Sequence, residues 1–401
     1  MEKNDIMPLV AFYHSKLQQT ETTFKRYLYN QINWDARIIG IKGARGVGKT
    51  TMLLQRILEK YPDPDKTFYI SLDHFWFNSN DLIRLVEYLY SMGIKELYVD
   101  EVHKYKGWSQ LLKNLYDQYA DIKIVYTGSS ILEIDNSKTD LSRRQTLYSL
   151  KGMSFREYLE YEGIISVPPI SLTTLVQDHV RICMDLTKSM AIRPLFETYL
   201  ERGYYPFYKD SGIDYLPRLA ETANIVIEND LPSVEDISYP TVEKTKKLLG
   251  IVAGNVPFKP NIEKLAKSLG STRDSCLKML YLLDKAEQLA LLTSELKNYK
   301  RLVKPEKIYL GNTNLMYAFG ARIDVGTLRE TFFINQLSAN HTVQSSSRGD
   351  FLIDGRLTFE IGGNYKDFSQ VADLPDSYLG IDGIETGFHN RIPLWMFGMM
   401  Y

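Results

Sequence analysis

The chain has 401 residues, enough for two to four domains at roughly 150 residues each. Its 48 Lys and Arg balance 49 Asp and Glu for a net charge of −1. That excludes a polybasic nucleic-acid binder and an acidic solvating tail, so any contact with nucleic acid must come from a local patch. Only two cysteines occur, Cys183 and Cys276; a disulfide framework is excluded and a reduced cytoplasm is expected. His179 and Cys183 stand four apart on one helix face, but two ligands fall short of the four or so of a zinc site. The N-terminus lacks the pattern of a signal peptide. The most apolar stretch, Ile392–Tyr401, is about half the length a membrane-spanning helix needs. The reading is a soluble cytoplasmic protein with no membrane partner.

In chain order, residues 1–35 read as a helical leader. From Arg37 short apolar runs alternate with amphipathic stretches. Strands are expected at Ile38–Lys42, Thr67–Leu72, Glu96–Val99, Ile122–Thr127 and Thr146–Leu150, and helices at Thr50–Lys60, Asp81–Ser91 and Trp108–Tyr119. That alternation predicts an α/β domain over 36–165, a parallel sheet covered on both faces, ending near the linker Val167-Pro168-Pro169. Residues 166–250 read as a helical domain. Within 251–310, two amphipathic helices, Asn261–Leu269 and Ser271–Lys285, meet at Gly270, and two strand-like segments follow, Gln288–Ser294 and Leu302–Tyr309. This is a helix-turn-helix with a wing. The last segment, 311–401, mixes a helix (Gly326–Ser338) with strands at Asp350–Ile353 and Leu357–Ile361, an α+β pattern.

One motif dominates: Gly43-Ala44-Arg45-Gly46-Val47-Gly48-Lys49-Thr50-Thr51, which fits G-x-x-x-x-G-K-[ST]. Such a loop turns successive backbone N–H groups toward phosphate oxygens. Lys49 then supplies charge to the β- and γ-phosphates, Thr50 offers its hydroxyl to Mg²⁺, and the following helix adds its positive N-terminus. A strand run precedes the motif and a helix follows it, as that chemistry requires.

About fifty residues on, Leu97-Tyr98-Val99-Asp100-Glu101 is an apolar strand ending in two carboxylates. Asp100 is placed to hold Mg²⁺ and Glu101 to deprotonate the attacking water; alone, such a pair reads equally as a solvated loop. Ile124–Ser130 is a strand ending in small hydroxyl residues, and Ser129 is its candidate γ-phosphate sensor, against the alternative of a plain turn. Arg143 and Arg144 precede the next strand. They read either as a solvated basic pair or as arginines that stabilise transition-state charge on their own or a neighbour's nucleotide.

Taken together, Gly43–Thr51, Leu97–Glu101, Tyr126–Ser130, Ser142–Arg144 and Ser154–Leu159 resemble bacterial and archaeal AAA-type P-loop ATPases that carry a C-terminal nuclease-like domain of unknown function. Gly203–Pro206 and Asn229–Pro232 are similar to that group's lid, and Tyr309–Leu315 and Gly326–Glu330 to the start of its last domain. The resemblance implies ATP and Mg²⁺ as ligands, Ser129 as sensor, Arg143 or Arg144 as arginine finger, and with the finger a homo-oligomer. No Asn/Thr-Lys-x-Asp motif follows the acid pair, which favours adenine over guanine. The biological partner, expected to be a protein, stays open.

The resemblance also implies a restriction-endonuclease-like last domain, in which a helix Glu, a strand Asp and an acid-x-Lys strand gather a metal beside the scissile phosphate. The matching residues are Glu330, Asp350 and Glu360, but Gly362 stands where the lysine belongs, leaving Lys366 to reach back from the next turn. The expectation is a degenerate, non-cutting domain. In the winged helix, Arg273, Lys278 and Lys285 make a modest basic face, so DNA is a candidate partner beside a purely structural role.

Overall fold

The structure is a computed structural model, and it describes residues 2–401 except 62, 131–140, 142, 236, 256–258, 295–301, 321–322 and 368. The chain forms two compact units, Met1–Lys151 with Asp230–Asp236, and Gly152–Asn229 with Ile237–Tyr401.

The first unit is built on a five-stranded sheet in the order β2-β3-β4-β1-β5. Its strands are β1 (Ile38–Gly43), β2 (Thr67–Ser71), β3 (Glu96–Asp100), β4 (Lys123–Ser129) and β5 (Thr146–Ser149). Every pairing is parallel. β2 and β3 are buried along their whole length, which is why these runs read as near-continuous apolar sequence rather than alternation. The covering helices are α1 (Lys3–Gln18), α2 (Lys49–Lys60), α3 (Leu82–Ser91) and α4 (Trp108–Gln118). Asp81 caps α3, its carboxylate accepting from the backbone N–H of Ile83 (2.7 Å) and Arg84 (3.2 Å), which satisfies two of the helix's orphan donors. In α4, the buried Trp108 ring lies 5.3 Å from the Tyr126 ring of β4.

The second unit has helices at Phe155–Tyr161, Leu172–Thr187, Ile192–Arg202, Tyr215–Ile225 and Tyr239–Ala253. The pair Ile262–Ser268 and Arg273–Lys285 follows, then an antiparallel hairpin of β6 (Leu289–Leu292) and β7 (Lys307–Leu310). Helices Thr313–Phe319 and Val325–Leu337 lead to a mixed sheet in the order β12-β11-β10-β9-β8. Its strands are β8 (Val343–Ser345), β9 (Phe351–Ile353), β10 (Leu357–Gly362), β11 (Ser377–Ile381) and β12 (Arg391–Pro393).

These units divide the chain differently from the boundaries expected from the sequence. The leader 1–35 falls in the first unit: Tyr13 of α1 is buried and its hydroxyl shares a 2.8 Å hydrogen bond with Thr67 of β2. The division falls between Lys151 and Gly152, ahead of the Pro168-Pro169 linker. The cause is the helix Phe155–Tyr161, capped by a reciprocal Ser154–Glu157 box and burying Phe155, Tyr158 and Leu159 in the second unit. Proline marks where a helix cannot run, not where a core ends. Residues 166–250, 251–310 and 311–401, read as three domains, fall in one unit apart from the Asp230–Asp236 excursion. Among the described residues, no helix is long and apolar enough to cross a membrane.

Candidate nucleotide site

Parallel strands present their carboxyl ends together, and in open α/β sheets ligands bind at that edge. Here β1 ends at Gly43 in register with Ser129, the last residue of β4, and β3 ends at Asp100 on the other side of β4. Residues Ala44 to Gly48 form the loop from Gly43 to Lys49, which opens α2. Gly48 has φ 95°, a left-handed conformation that a side chain disfavours. The loop curls on itself: Lys49 is buried, and its Nζ donates to the carbonyls of Gly43 (2.8 Å) and Ala44 (2.9 Å). Thr50 Oγ1 donates to Asp100 Oδ2 at 2.6 Å. Thr51 is exposed.

Asp100 is buried, and it also accepts from the Tyr69 hydroxyl (2.8 Å) and from Thr127 Oγ1. Glu101 has φ 57°, unusual for a residue with a side chain, and its backbone N–H donates to Thr127 Oγ1 at 3.2 Å. Burial raises the Glu101 carboxyl to about 7, with Lys49 opposing and Asp100 adding to the shift. A carboxyl tuned near neutrality suits a general base. Ser129 and Ser130 are buried, and among the described residues their hydroxyl oxygens have no hydrogen-bond partner. Buried hydroxyls left unmatched beside a phosphate loop fit a site that closes on an anion.

The two arginines separate. Arg144 forms a two-point ion pair with Asp117 (3.0 and 3.2 Å) and lies over the Tyr116 ring at 5.8 Å, whereas Arg143 is exposed. Ser142 lies outside the described residues.

Residues 35–159 match the family model described as "AAA domain". This stretch is a AAA-type P-loop ATPase domain. An uncharacterized protein of Methanocaldococcus jannaschii is 26 % identical over 284 residues, 68 % of this chain and 60 % of that protein. The match thus spans less than two thirds of the relative. Among solved structures, a single-substitution variant of RuvB from Thermotoga maritima is 18 % identical, with a TM-score of 0.27 over 73 % of this chain and 89 % of that one. Domain III of the replication initiation protein DnaA of Thermotoga maritima is 16 % identical, with a TM-score of 0.23 over 51 % and 87 %. At these scores neither likeness bears on what the chain does.

Three residues beside the loop and the acid pair had no chemical role in the sequence reading, which gave His103 only packing and loop orientation. Arg26, in the leader, is buried and donates from Nη1 to the carbonyl of Val47 and from Nη2 to that of Lys151 (2.7 Å), bracing the phosphate loop from behind. His103 follows the acid pair, and its Nε2 lies 3.2 Å from Glu101 Oε2. Asp230, 1 % exposed, stands 3.4 Å from Lys104 Nζ and 3.7 Å from Arg45 Nη1. Burial raises its pKa, with Lys104 and Arg45 opposing. The Asn229-Asp230-Leu231-Pro232 motif was the available signal for Asp230, though nothing in it pointed to a partner.

In the second unit, Glu330, Asp350 and Glu360 meet lysines. Lys307 Nζ lies 3.4 Å from Glu330 and 3.6 Å from Asp350, and Lys366 pairs with Glu360. Asp350 Oδ2 also accepts from the Ile361 backbone N–H at 2.8 Å. Lys366 does fold back over Gly362, where an added Cβ would meet its side chain at 2.7 Å. Among the described residues, no group of three His, Cys, Asp or Glu is placed to hold a metal ion. His179 and Cys183 are both buried, and Cys183 Sγ lies 2.9 Å from the Met396 sulfur. In the helix pair, Arg273 is engaged by Glu263 (3.2 Å) and Asp274 (3.5 Å).

Proposed function

We propose that the protein is an ATP-hydrolysing switch whose nucleotide state drives a conformational change on a protein partner. The observation that carries the reading is the convergence of Lys49, the Thr50–Asp100 pair and the buried Glu101 at one edge of the sheet. The loop from Gly43 to Thr51 would hold the phosphates, with Lys49 released from its two carbonyls to face them. Mg²⁺ would be held by Thr50 and Asp100 and would neutralise phosphate charge. Glu101 accepts a proton from water as the water oxygen bonds to the γ-phosphorus and the bond to ADP breaks. Ser129 orients the γ-phosphate with its unmatched hydroxyl. The test is to recover the full chain carrying Glu101→Gln from cells, with ATP and again with ADP. A protein retained with ATP and released with ADP supports the reading; identical recovery in both, at full ATP occupancy, counts against it. A slow switch that holds ATP mainly to order its domains is the alternative, and the turnover rate of wild type separates the two.

Arg143 is our candidate arginine finger, acting on a neighbouring copy, since Asp117 already holds Arg144. Mixing Arg143→Ala with Lys49→Ala subunits is expected to restore part of the hydrolysis each lacks, because each supplies what the other has lost. No recovery in subunits shown to co-assemble by light scattering would rule out action between copies.

For the second unit, we read the helix pair with its hairpin as a winged helix, and β8–β12 with their helices as a nuclease-like domain that does not cut DNA. Lys307 sits between Glu330 and Asp350 where a metal would have to sit. In a plasmid-nicking assay with Mg²⁺ or Mn²⁺, with and without ATP, wild type is expected to leave the plasmid supercoiled. Nicking that is lost in both Asp350→Ala and Lys366→Ala would refute this. DNA binding through the winged helix is the weaker alternative, because Glu263 and Asp274 already hold Arg273.

A further inference from the structure

His103 lies in the short turn Val102–Lys104 after the acid pair, and its side chain is 2 % exposed. The backbone N–H of Ser129 donates to its Nδ1 at 3.4 Å. A ring nitrogen that accepts a hydrogen bond carries no proton. Burial also pulls the His103 pKa down to about 3, so the ring is neutral and its single proton rests on Nε2. That N–H lies 3.2 Å from Glu101 Oε2 and 4.0 Å from Asp230 Oδ1. Even so, among the described residues Nε2 has no aligned hydrogen-bond partner. A buried donor without a partner carries its whole desolvation cost, and here two carboxylates stand close enough to relieve it.

The two carboxylates are not equivalent. Asp230 already faces the cations Lys104 and Arg45. Glu101 has its backbone fixed by Thr127 and by its turn, which leaves the rotation of its carboxylate as the undetermined variable. We infer that His103 is a positioning residue for Glu101: its Nε2–H grips the carboxylate and aims it at the attacking water. Its other nitrogen ties that aim to Ser129, the sensor residue at the end of β4. The imidazole touches neither substrate nor metal in this scheme. It couples the strand end that meets the γ-phosphate to the group that takes the proton, so the base is aligned when Ser129 is in place.

The inference rests on Glu101 being the base for ATP hydrolysis, and the experiment separates the two ideas. Full-length wild type, His103→Leu and His103→Gln are compared for Mg-ATP affinity by titration and for steady-state phosphate release. Leucine fills the space without a donor; glutamine brings an amide N–H to roughly the Nε2 position. His103→Leu is expected to lower kcat about 10- to 100-fold, as for a misaimed general base. KM and the Mg-ATP dissociation constant should stay within about threefold. His103→Gln is expected to recover kcat to within about fivefold of wild type, which a purely structural role for the ring would not produce. A His103→Leu variant as fast as wild type overturns the inference, as does a glutamine variant no better than leucine, or a loss confined to ATP binding. Wild type that binds ATP but releases no phosphate overturns the hydrolytic reading first, and this inference with it.

Discussion

Glu101→Gln is expected to bind Mg-ATP as wild type does and to lose hydrolysis by about 10²- to 10⁴-fold, the usual contribution of a positioned general base. Glutamine keeps the size and polarity of the side chain but cannot take a proton. The Thr50–Asp100 pair that would face the metal is untouched. Lys49→Ala is expected to do the opposite and weaken binding by about 100-fold or more, since losing one member of a buried charge pair costs about 2–5 kcal/mol. Its amine also closes the loop through the carbonyls of Gly43 and Ala44, so the variant loses both a charge and a brace. Isothermal titration with Mg-ATP and a phosphate-release assay on each variant separate the two effects. Lys49→Ala binding like wild type would remove the phosphate-loop assignment, and Glu101→Gln turning over like wild type would remove the base.

What could be read from the sequence is what local pattern encodes. The strands β1 to β4 were legible because a parallel strand buried on both faces is apolar through its middle, as Phe68–Ile70 and Leu97–Val99 are. The phosphate loop and acid pair were legible because their chemistry needs particular residue types next to a strand end. Partners far apart in sequence were not. Arg26 reaches Val47 across 21 residues and Lys151 across 125, and nothing around Arg26 marks it as buried. Asp230 joins the site only because the chain returns to the first unit for seven residues, Asp230–Asp236. His103 was visible as a neighbour of the acid pair, but its role depends on which nitrogen faces Ser129. The same limit applied to charges that cancel: Arg144, Glu330 and Asp350 looked like available groups until Asp117 and Lys307 were seen beside them.

The second large effect concerns Gly43, which the loop pattern requires for a reason specific to this sheet. Its neighbour Lys42 accepts from the Leu150 backbone N–H at 2.7 Å just beyond β5. A Cβ built on Gly43 would lie 2.3 Å from the Leu150 carbonyl oxygen and 3.2 Å from the Val47 side chain. The nearest obstacle is backbone, which cannot rotate aside, so Gly43→Ala must move β1 away from the chain after β5 or break their pairing. Overpacking of this kind costs about 3 kcal/mol, or about 6–12 °C in the unfolding midpoint of a unit this size. A shift of β1 also moves the phosphate loop that begins at Gly43, so Mg-ATP affinity should fall with stability. Gly93→Ala is the matched control. Gly93 has φ 89° and open space around its Cβ position, so alanine there strains only the backbone, at about 1 kcal/mol, and it precedes β3 at the end opposite the one that carries Asp100. Thermal unfolding and Mg-ATP titration of both variants decide the matter. A Gly43→Ala protein no less stable than Gly93→Ala, with wild-type affinity, would mean that β1 and Leu150 can separate at little cost and that the loop does not depend on their contact.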